Sequence, residues 1–456
     1  MGAGRVAIPV VLGLAMLAGA PFVRRSVAAP PPSKVDTLTL ENGLAVVLRR
    51  TPGAADGAVV VVYAIGGEHD PVGRSGLAHV IERLYLLAGT EITPVRDRDD
   101  VRMRPPARGV SHGLGYDHVA ADDHTMFARV LPSKDIASEV EDAADRMTGL
   151  RVREQELAAA RSHVRTEISN AAGANPATAA PELARAAIVE PRLRGRRLGR
   201  SEDVAAITLE EVKARLDKLY RPRNAVLAIS GDFDLGIVRA LVKKRFGPIV
   251  AGEPVGPPVE HPETPLPREL AAAGSGPVTL ERAVRGEGRA VCAAICLSAP
   301  KREPTKEYAA FLVLAARLRD LQQAPPPTGA PGLVFTFTFD PWRDPKGFLL
   351  TRAVPTVAGA LEAVASLEST LETAALMRYG MVDAARTRSL MNLWFGVPPT
   401  EGSFADQPLL VAYGDARRAT LDIDGDAILK RLGDIRTEDV RAVAARAQRT
   451  VVVVPK

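Results

Sequence analysis

Two stretches of this chain run through the same elements in the same order. Ile207, Glu210 and Val212 lead a helix into the apolar run Ala225 to Ser230, and Ile435, Glu438 and Val440 lead a helix into Val451 to Val454, with an offset of 228 residues between Ile207 and Ile435. Self-similarity at a long spacing predicts one folding unit used twice. At 456 residues the chain is also too long for a single core on a domain scale of roughly 100–200 residues.

The intervening sequence fits strands and helices in mixed order, hence an α+β fold. Asn42-Gly43 separates the alternating apolar positions Leu38 and Leu40 from Leu44, Val46 and Leu48, which predicts a hairpin. Ala58 to Ile65 reads as a strand ended by Gly66-Gly67. Helices fit Ser75 to Leu87, Ser133 to Met147 with Ser133 as cap, and Glu154 to Asn170 with Leu157, Val164 and Ile168 inward. Thr208 and Glu211 form a capping box. Residues 251–276, crowded with Pro and Gly, are the expected linker between a domain over 35–250 and a domain over 277–456. In the second, strands fit Cys292 to Leu297, Leu333 to Phe339 and Phe348 to Val354, and a helix fits Thr305 to Leu321. The segment Glu91 to Arg108, rich in Arg, Asp and Pro, reads as an irregular loop.

The first residues carry Arg5, an apolar stretch from Val6 to Ala20 and small residues from Ser26 to Ala29. This is the pattern of a secretory signal peptide over residues 1–29, and it predicts a periplasmic or secreted mature protein. No later segment is apolar enough to span a membrane. The net charge is +5, and without Arg5, Arg24 and Arg25 the balance is 56 basic against 54 acidic residues, which gives no support to nucleic-acid binding. Cys292 and Cys296 stand four apart on one expected strand, about 13 Å between Cα atoms and beyond disulfide reach. They read as small core residues.

In Gly76-Leu77-Ala78-His79-Val80-Ile81-Glu82-Arg83, a helix places His79 and residue 83 one turn apart on the same face with Glu82 beside them. Two imidazoles there would hold zinc and the carboxylate would deprotonate its water. Position 83 is an arginine, whose guanidinium has no lone pair to give and stays charged. It would repel a dication by roughly 4 kcal/mol per unit charge at about 4 Å. An ion pair of Arg83 with Glu82 or Glu167 in the metal's place is the expected arrangement.

The motif, with Ile65-Gly66-Gly67-Glu68, Gly89-Thr90, Asp123, Thr125, Phe127, Gly199 to Asp203 and Tyr220 to Val226, resembles the pitrilysin and insulinase family of inverted zincins, whose signature is His-x-x-Glu-His. The resemblance covers about Val35 to Ile249. It implies two homologous lobes, each a mainly antiparallel sheet packed with helices, forming half of a metallopeptidase clamshell. It also implies that His79 stands at the first zinc-ligand position, Glu82 at the general base and Glu167 at the third ligand. Arg83 replaces the second histidine, Ala160 stands where active members carry a supporting glutamate, and Leu349 and Thr356 stand near the positions of a substrate-binding arginine and tyrosine. His163 could substitute as a ligand but reads as a surface residue, and His112, His118 and His124 read as unliganded loop histidines.

No cofactor is expected, with zinc only if the site works. The resemblance implies a catalytically silent subunit paired as a heterodimer with an active homologue, handling extended peptides. The alternatives are a zinc endopeptidase with an altered metal site and a scaffold protein with no peptidase partner.

Overall fold

The structure, a computed structural model, describes residues 34–92, 118–173, 199–259, 278–281, 290–301, 303–323, 335–338, 347–354, 357–380, 408–421 and 425–454. The leader, His112, Thr356 and all but the first two residues of the Arg-rich loop lie outside them.

Among the described residues the strands form two sheets. The first holds β1 (Lys34–Thr39), β2 (Ala45–Arg50), β3 (Asp56–Tyr63), β4 (His118–Ala120), β5 (Thr125–Pro132) and β6 (Ala225–Gly231), in the order β1-β2-β6-β3-β5-β4. The second holds β7 (Val278–Glu281), β8 (Ala290–Ser298), β9 (Thr336–Thr338), β10 (Gly347–Val354) and β11 (Gln448–Val454), in the order β7-β11-β8-β10-β9. Apart from β1, the two orders are the same. In each sheet the last strand of the unit pairs in parallel with the first, β6 with β2 and β11 with β7, and every other pairing is antiparallel. The recurrence at 228 residues is therefore a repeat of topology. Its helices, Leu209–Lys218 and Thr437–Ala444, begin at that same offset.

Several local expectations hold for the physical reason given. Asn42-Gly43 turns the first hairpin, with Gly43 at φ +89° and a Cβ there only 3.2 Å from the Arg223 backbone. The Asn42 amide donates to the carbonyls of Phe246 and Ile249, tying the turn to the end of a distant helix. Thr208 and Glu211 make the expected reciprocal cap. Ser133 behaves differently. It opens a 3-10 turn before the helix Ile136–Thr148, and its hydroxyl donates to the Ala54 carbonyl and accepts from the Asp232 amide, so it ties two loops rather than capping a helix. Cys296 is free and buried, and burial pushes its thiol up to about 12.

β3 is apolar at successive positions and buried on both sides. Val59, Val61 and Tyr63 face one core with helices α1 (Leu77–Leu87), α2 (Ile136–Thr148) and α3 (Glu154–Gly173). Ala58, Val60 and Val62 face a second core continuous with that of the later half. A strand that is apolar on both faces needs cover on both. Here the second face is covered by a helix from the other half, Pro408–Leu421, which packs on β3 and β6. The sequence over 408–421 carries no clear helical periodicity.

Polar groups fix that helix in place. Asp415 accepts two bonds from Arg49 on β2, at 2.7 and 2.8 Å, with both residues buried. Arg417, fully enclosed, donates to Asp123 at 2.7 Å. The Tyr413 hydroxyl lies 2.8 Å from His124 Nε2, and His124 Nδ1 lies 2.6 Å from Asp123. The contacts of Arg49, Asp123 and His124 with this helix join residues nearly three hundred or more positions apart in sequence.

The expected linker begins as packed chain. Glu253 N donates to Lys218 O and Val259 N to Glu68 O, both at 2.7 Å, and Asn224 bonds Val255 and Glu253. Residues 260–277 lie outside the described set. No described helix is long and apolar enough to cross a membrane.

Removing one partner of a buried ion pair strands the other. Asp415→Ala should therefore lower unfolding stability by about 3 kcal/mol, measured by urea denaturation. The double replacement Arg49→Leu/Asp415→Leu should cost less than the single one. A double variant as unstable as Asp415→Ala would show that the pair contributes packing rather than charge compensation.

Candidate functional site

Helix α1 carries His79, Glu82 and Arg83, and both of its ends are tied to buried polar side chains. At its N-terminus the enclosed Asp70 accepts from the amides of Gly76 and Ala78, at 2.8 and 3.0 Å. These are among the donors a helix start leaves unsatisfied. Burial pushes the Asp70 carboxyl up to about 7, against the pull of Arg215 and the helix amides. At the C-terminus the buried Arg146 donates to the carbonyls of Tyr85 and Ala88, at 3.0 and 3.1 Å, where a cation suits the helix dipole.

The approach to the helix is closed by Gly199, at φ +84°, where a Cβ would lie 2.6 Å from the Gly76 Cα and the Ser75 carbonyl. Ser75 in turn donates to Asp203 at 2.6 Å. Gly199 and Asp203 are thus needed to seat the loop that starts α1.

Helix α3 crosses α1, with Leu157, Ala160 and Val164 fully buried along its inner face. This brings Glu167 to the exposed end of the contact. His79 Nε2 lies 3.1 Å from Glu167 Oε2 and 3.8 Å from Glu82 Oε2. Arg83 Nη2 donates to Glu167 Oε1 at 2.5 Å, and Arg83 Nε lies 3.5 Å from Glu82 Oε2. All four residues, more than eighty positions apart at the extremes, thus meet in one cluster. Burial works against ionisation of Glu167, but the hydrogen bond from His79 and the charges of His79 and Arg83 outweigh it and hold its carboxyl below the ordinary value of 4.5.

These residues do not fit a zinc ion. The guanidinium of Arg83 lies against Glu167 on the side where a second imidazole would ligate, and it supplies charge without a lone pair. Among the described residues no group of three or more His, Cys, Asp or Glu side chains is arranged to hold a metal. His163 is exposed on α3 one turn from Glu167, and Ala160 is core. The side chains of Leu349 and His118 lie outside the described set.

His124 is the residue whose surroundings differ most from a loop histidine. It is fully enclosed between Asp123 and Tyr413 and belongs to the contact between the halves. That enclosure is not legible in the sequence, since Tyr413, which bonds His124, and Arg417, which bonds Asp123, come from a helix without a clear periodic signal. The adjacent pair Asp123-His124 was the one available clue.

Comparison with known proteins agrees with this architecture. Residues 206–325 match the sequence profile of the Peptidase M16 inactive domain. The zinc protease PqqE of Helicobacter pylori is 26% identical over 217 residues, which is 47% of this chain and 47% of that protein. The chain thus matches about half the length of that curated relative. Among solved structures, a protease from Helicobacter pylori is similar with a TM-score of 0.67 at 19% identity, covering 93% of this chain and all of that one. The periplasmic protease PqqL from Escherichia coli is similar with a TM-score of 0.62 at 15% identity, covering 94% of this chain but 48% of PqqL.

Two measurements probe the cluster. A carboxyl held below its ordinary value stabilises the fold above that value and loses the contribution as pH falls through its lowered one. Below pH 4.5, then, wild type should lose stability with acid more steeply than Glu167→Gln, as followed by thermal melts across pH. Equal slopes would show that Glu167 is not held by His79 and Arg83. In calorimetric zinc titrations wild type should bind well below one equivalent, whereas Arg83→His, which restores a one-turn imidazole pair facing Glu167, should gain affinity by orders of magnitude. No gain would mean that His79 and Glu167 cannot share an ion.

Proposed function

We propose, for a chain that belongs to the M16 peptidase family, the role of a subunit that handles extended polypeptide without cleaving it. In this reading it pairs with an active homologue bearing His-x-x-Glu-His, and the two enclose the peptide between them. The observation that carries the reading is the guanidinium of Arg83 bonded to Glu167 within the cluster of His79, Glu82 and Glu167. A fixed cation there opposes zinc, and without zinc Glu82 has no metal-bound water to deprotonate.

The length relations support pairing. The chain is similar to all of one protease from Helicobacter pylori but to 48% of the longer PqqL, which leaves room in PqqL for a second unit of this size. The leader pattern over residues 1–29 supports a periplasmic or secreted site of action.

The test is affinity purification of the tagged full-length chain from its own cells, followed by a cleavage assay on unfolded protein. The expected result is recovery of a homologue with the intact motif and no cleavage by the chain alone. A chelator-sensitive activity of the isolated chain, abolished by Glu82→Gln, would overturn the non-catalytic role. Recovery without any such homologue would overturn the pairing.

A further inference from the structure

We infer that the outer face of the helix Leu235–Phe246 docks on an anionic lipid membrane, with its lysines on the headgroups and the apolar side chains of Ile237 and Val250 set into the interface. The inference does not depend on the peptide-handling role proposed above.

This helix has one buried side and one bare side. Val238, Val242 and Phe246, spaced one turn apart, enter the core of the first half. With about 3.6 residues per turn, Ile237, Ala240 and Lys244 form a line on the opposite side with Lys243 next to it, and all four are exposed. From Leu235 to Val250 the chain carries Arg239, Lys243, Lys244 and Arg245 and no acidic residue. Asp36 takes Arg239 at 3.1 Å, whereas the side chains of Lys243, Lys244 and Arg245 make no hydrogen bond or ion pair among the described residues. The acids just before the helix are engaged, Asp234 on the Ile237 amide and Asp232 on Arg50. On the flanking elements Glu41, Asp135 and Glu141 are matched in number by the exposed cations Lys34, Lys134 and Arg223, so the positive excess of the helix stands.

Cations in a last turn also suit the helix dipole. That accounts for Lys243 to Arg245 but leaves Ile237 and Val250, large apolar side chains 66% and 73% exposed, one near each end of the helix. Lysines set between exposed apolar side chains are the composition of a surface that lies in a membrane interface. The course of the chain supplies the membrane. β1 begins at Lys34, and its Asp36 is bonded to Arg239, so the segment before Lys34 enters the fold beside this helix. Residues 21–33 separate Lys34 from the apolar run Val6 to Ala20 of the expected leader and span at most about 45 Å. While that run occupies a bilayer, the helix is within reach of the same surface. Anionic headgroups then attract its unpaired lysines over a Debye length, and the attraction weakens with salt.

The test is co-sedimentation of the mature chain with vesicles, without residues 1–29 so that the leader's apolar run contributes nothing. Wild type should bind vesicles of mixed phosphatidylglycerol and phosphatidylcholine in low salt, should release from them in high salt and should not bind pure phosphatidylcholine. Lys243→Gln/Lys244→Gln should bind the anionic vesicles about twenty-five-fold more weakly, roughly fivefold for each lysine removed from an anionic surface. Neither lysine side chain has a described partner, so the fold should be unaffected. Lys301→Gln/Lys430→Gln, which removes two exposed cations from the second half, should bind like wild type. No binding of wild type to anionic vesicles, or wild-type affinity in Lys243→Gln/Lys244→Gln, would overturn the inference. Equal losses in the two double variants would reduce the effect to net charge and overturn it as well. Tighter binding of soluble polyglutamate than of the vesicles, lost with Lys243 and Lys244, would replace the membrane with an acidic protein.

Discussion

Strand β3 has no face left for water. Its alternate residues enter two different cores, so each side of the first sheet must be covered, and the two covers come from different parts of the chain. On one side lie the helices that carry the candidate site. On the other lies Pro408–Leu421, contributed from nearly two hundred residues beyond the last strand of that sheet. Burial of apolar side chains such as Val59 and Val60, each contributing about 1.5–3 kcal/mol, drives both contacts, but it is non-directional. Directional groups set the register: Asp415 on Arg49, Arg417 on Asp123 and Tyr413 on His124.

Helix α1 is held by the same combination of apolar packing and aimed polar groups. Val80, Ile81 and Leu84 bury its inner face, and Asp70 and Arg146 satisfy backbone groups at its two ends. A helix held in this way keeps His79, Glu82 and Arg83 in fixed relation whether or not a metal joins them. The cross-link to α3 is supplied by side-chain charge, with Arg83 and His79 both bonded to Glu167. Because Glu167 is about one-third exposed, this cross-link is screened and orients the helices more than it stabilises them.

The repeated topology separates what is shared from what is particular. Both halves build the same five-strand order with one parallel pair, and both lead a capped helix into the strand that closes that pair. The cluster around Arg83 belongs to the first half, as does β1, which has no counterpart among the described residues of the second.

Sequence alone determined the elements whose signals are local. The Asn42-Gly43 hairpin, the Thr208–Glu211 cap and the apolar faces of α2 and α3 follow from backbone preferences and periodicity within a few residues, as does the one-turn spacing of His79 and Arg83. The family resemblance added Glu167, which no periodicity could have joined to His79 across more than eighty residues. Tertiary structure decided what depends on distant chain meeting in space. It put Ser133 to tying loops instead of capping a helix, and it turned the start of the expected linker into packed chain along the first half. It also closed His124 inside a contact between the halves and laid Arg83 along Glu167. The reason is physical. A turn or a helix face is fixed by interactions between near neighbours, whereas a buried charge takes its role from its partner, and here the partners lie tens to hundreds of residues away.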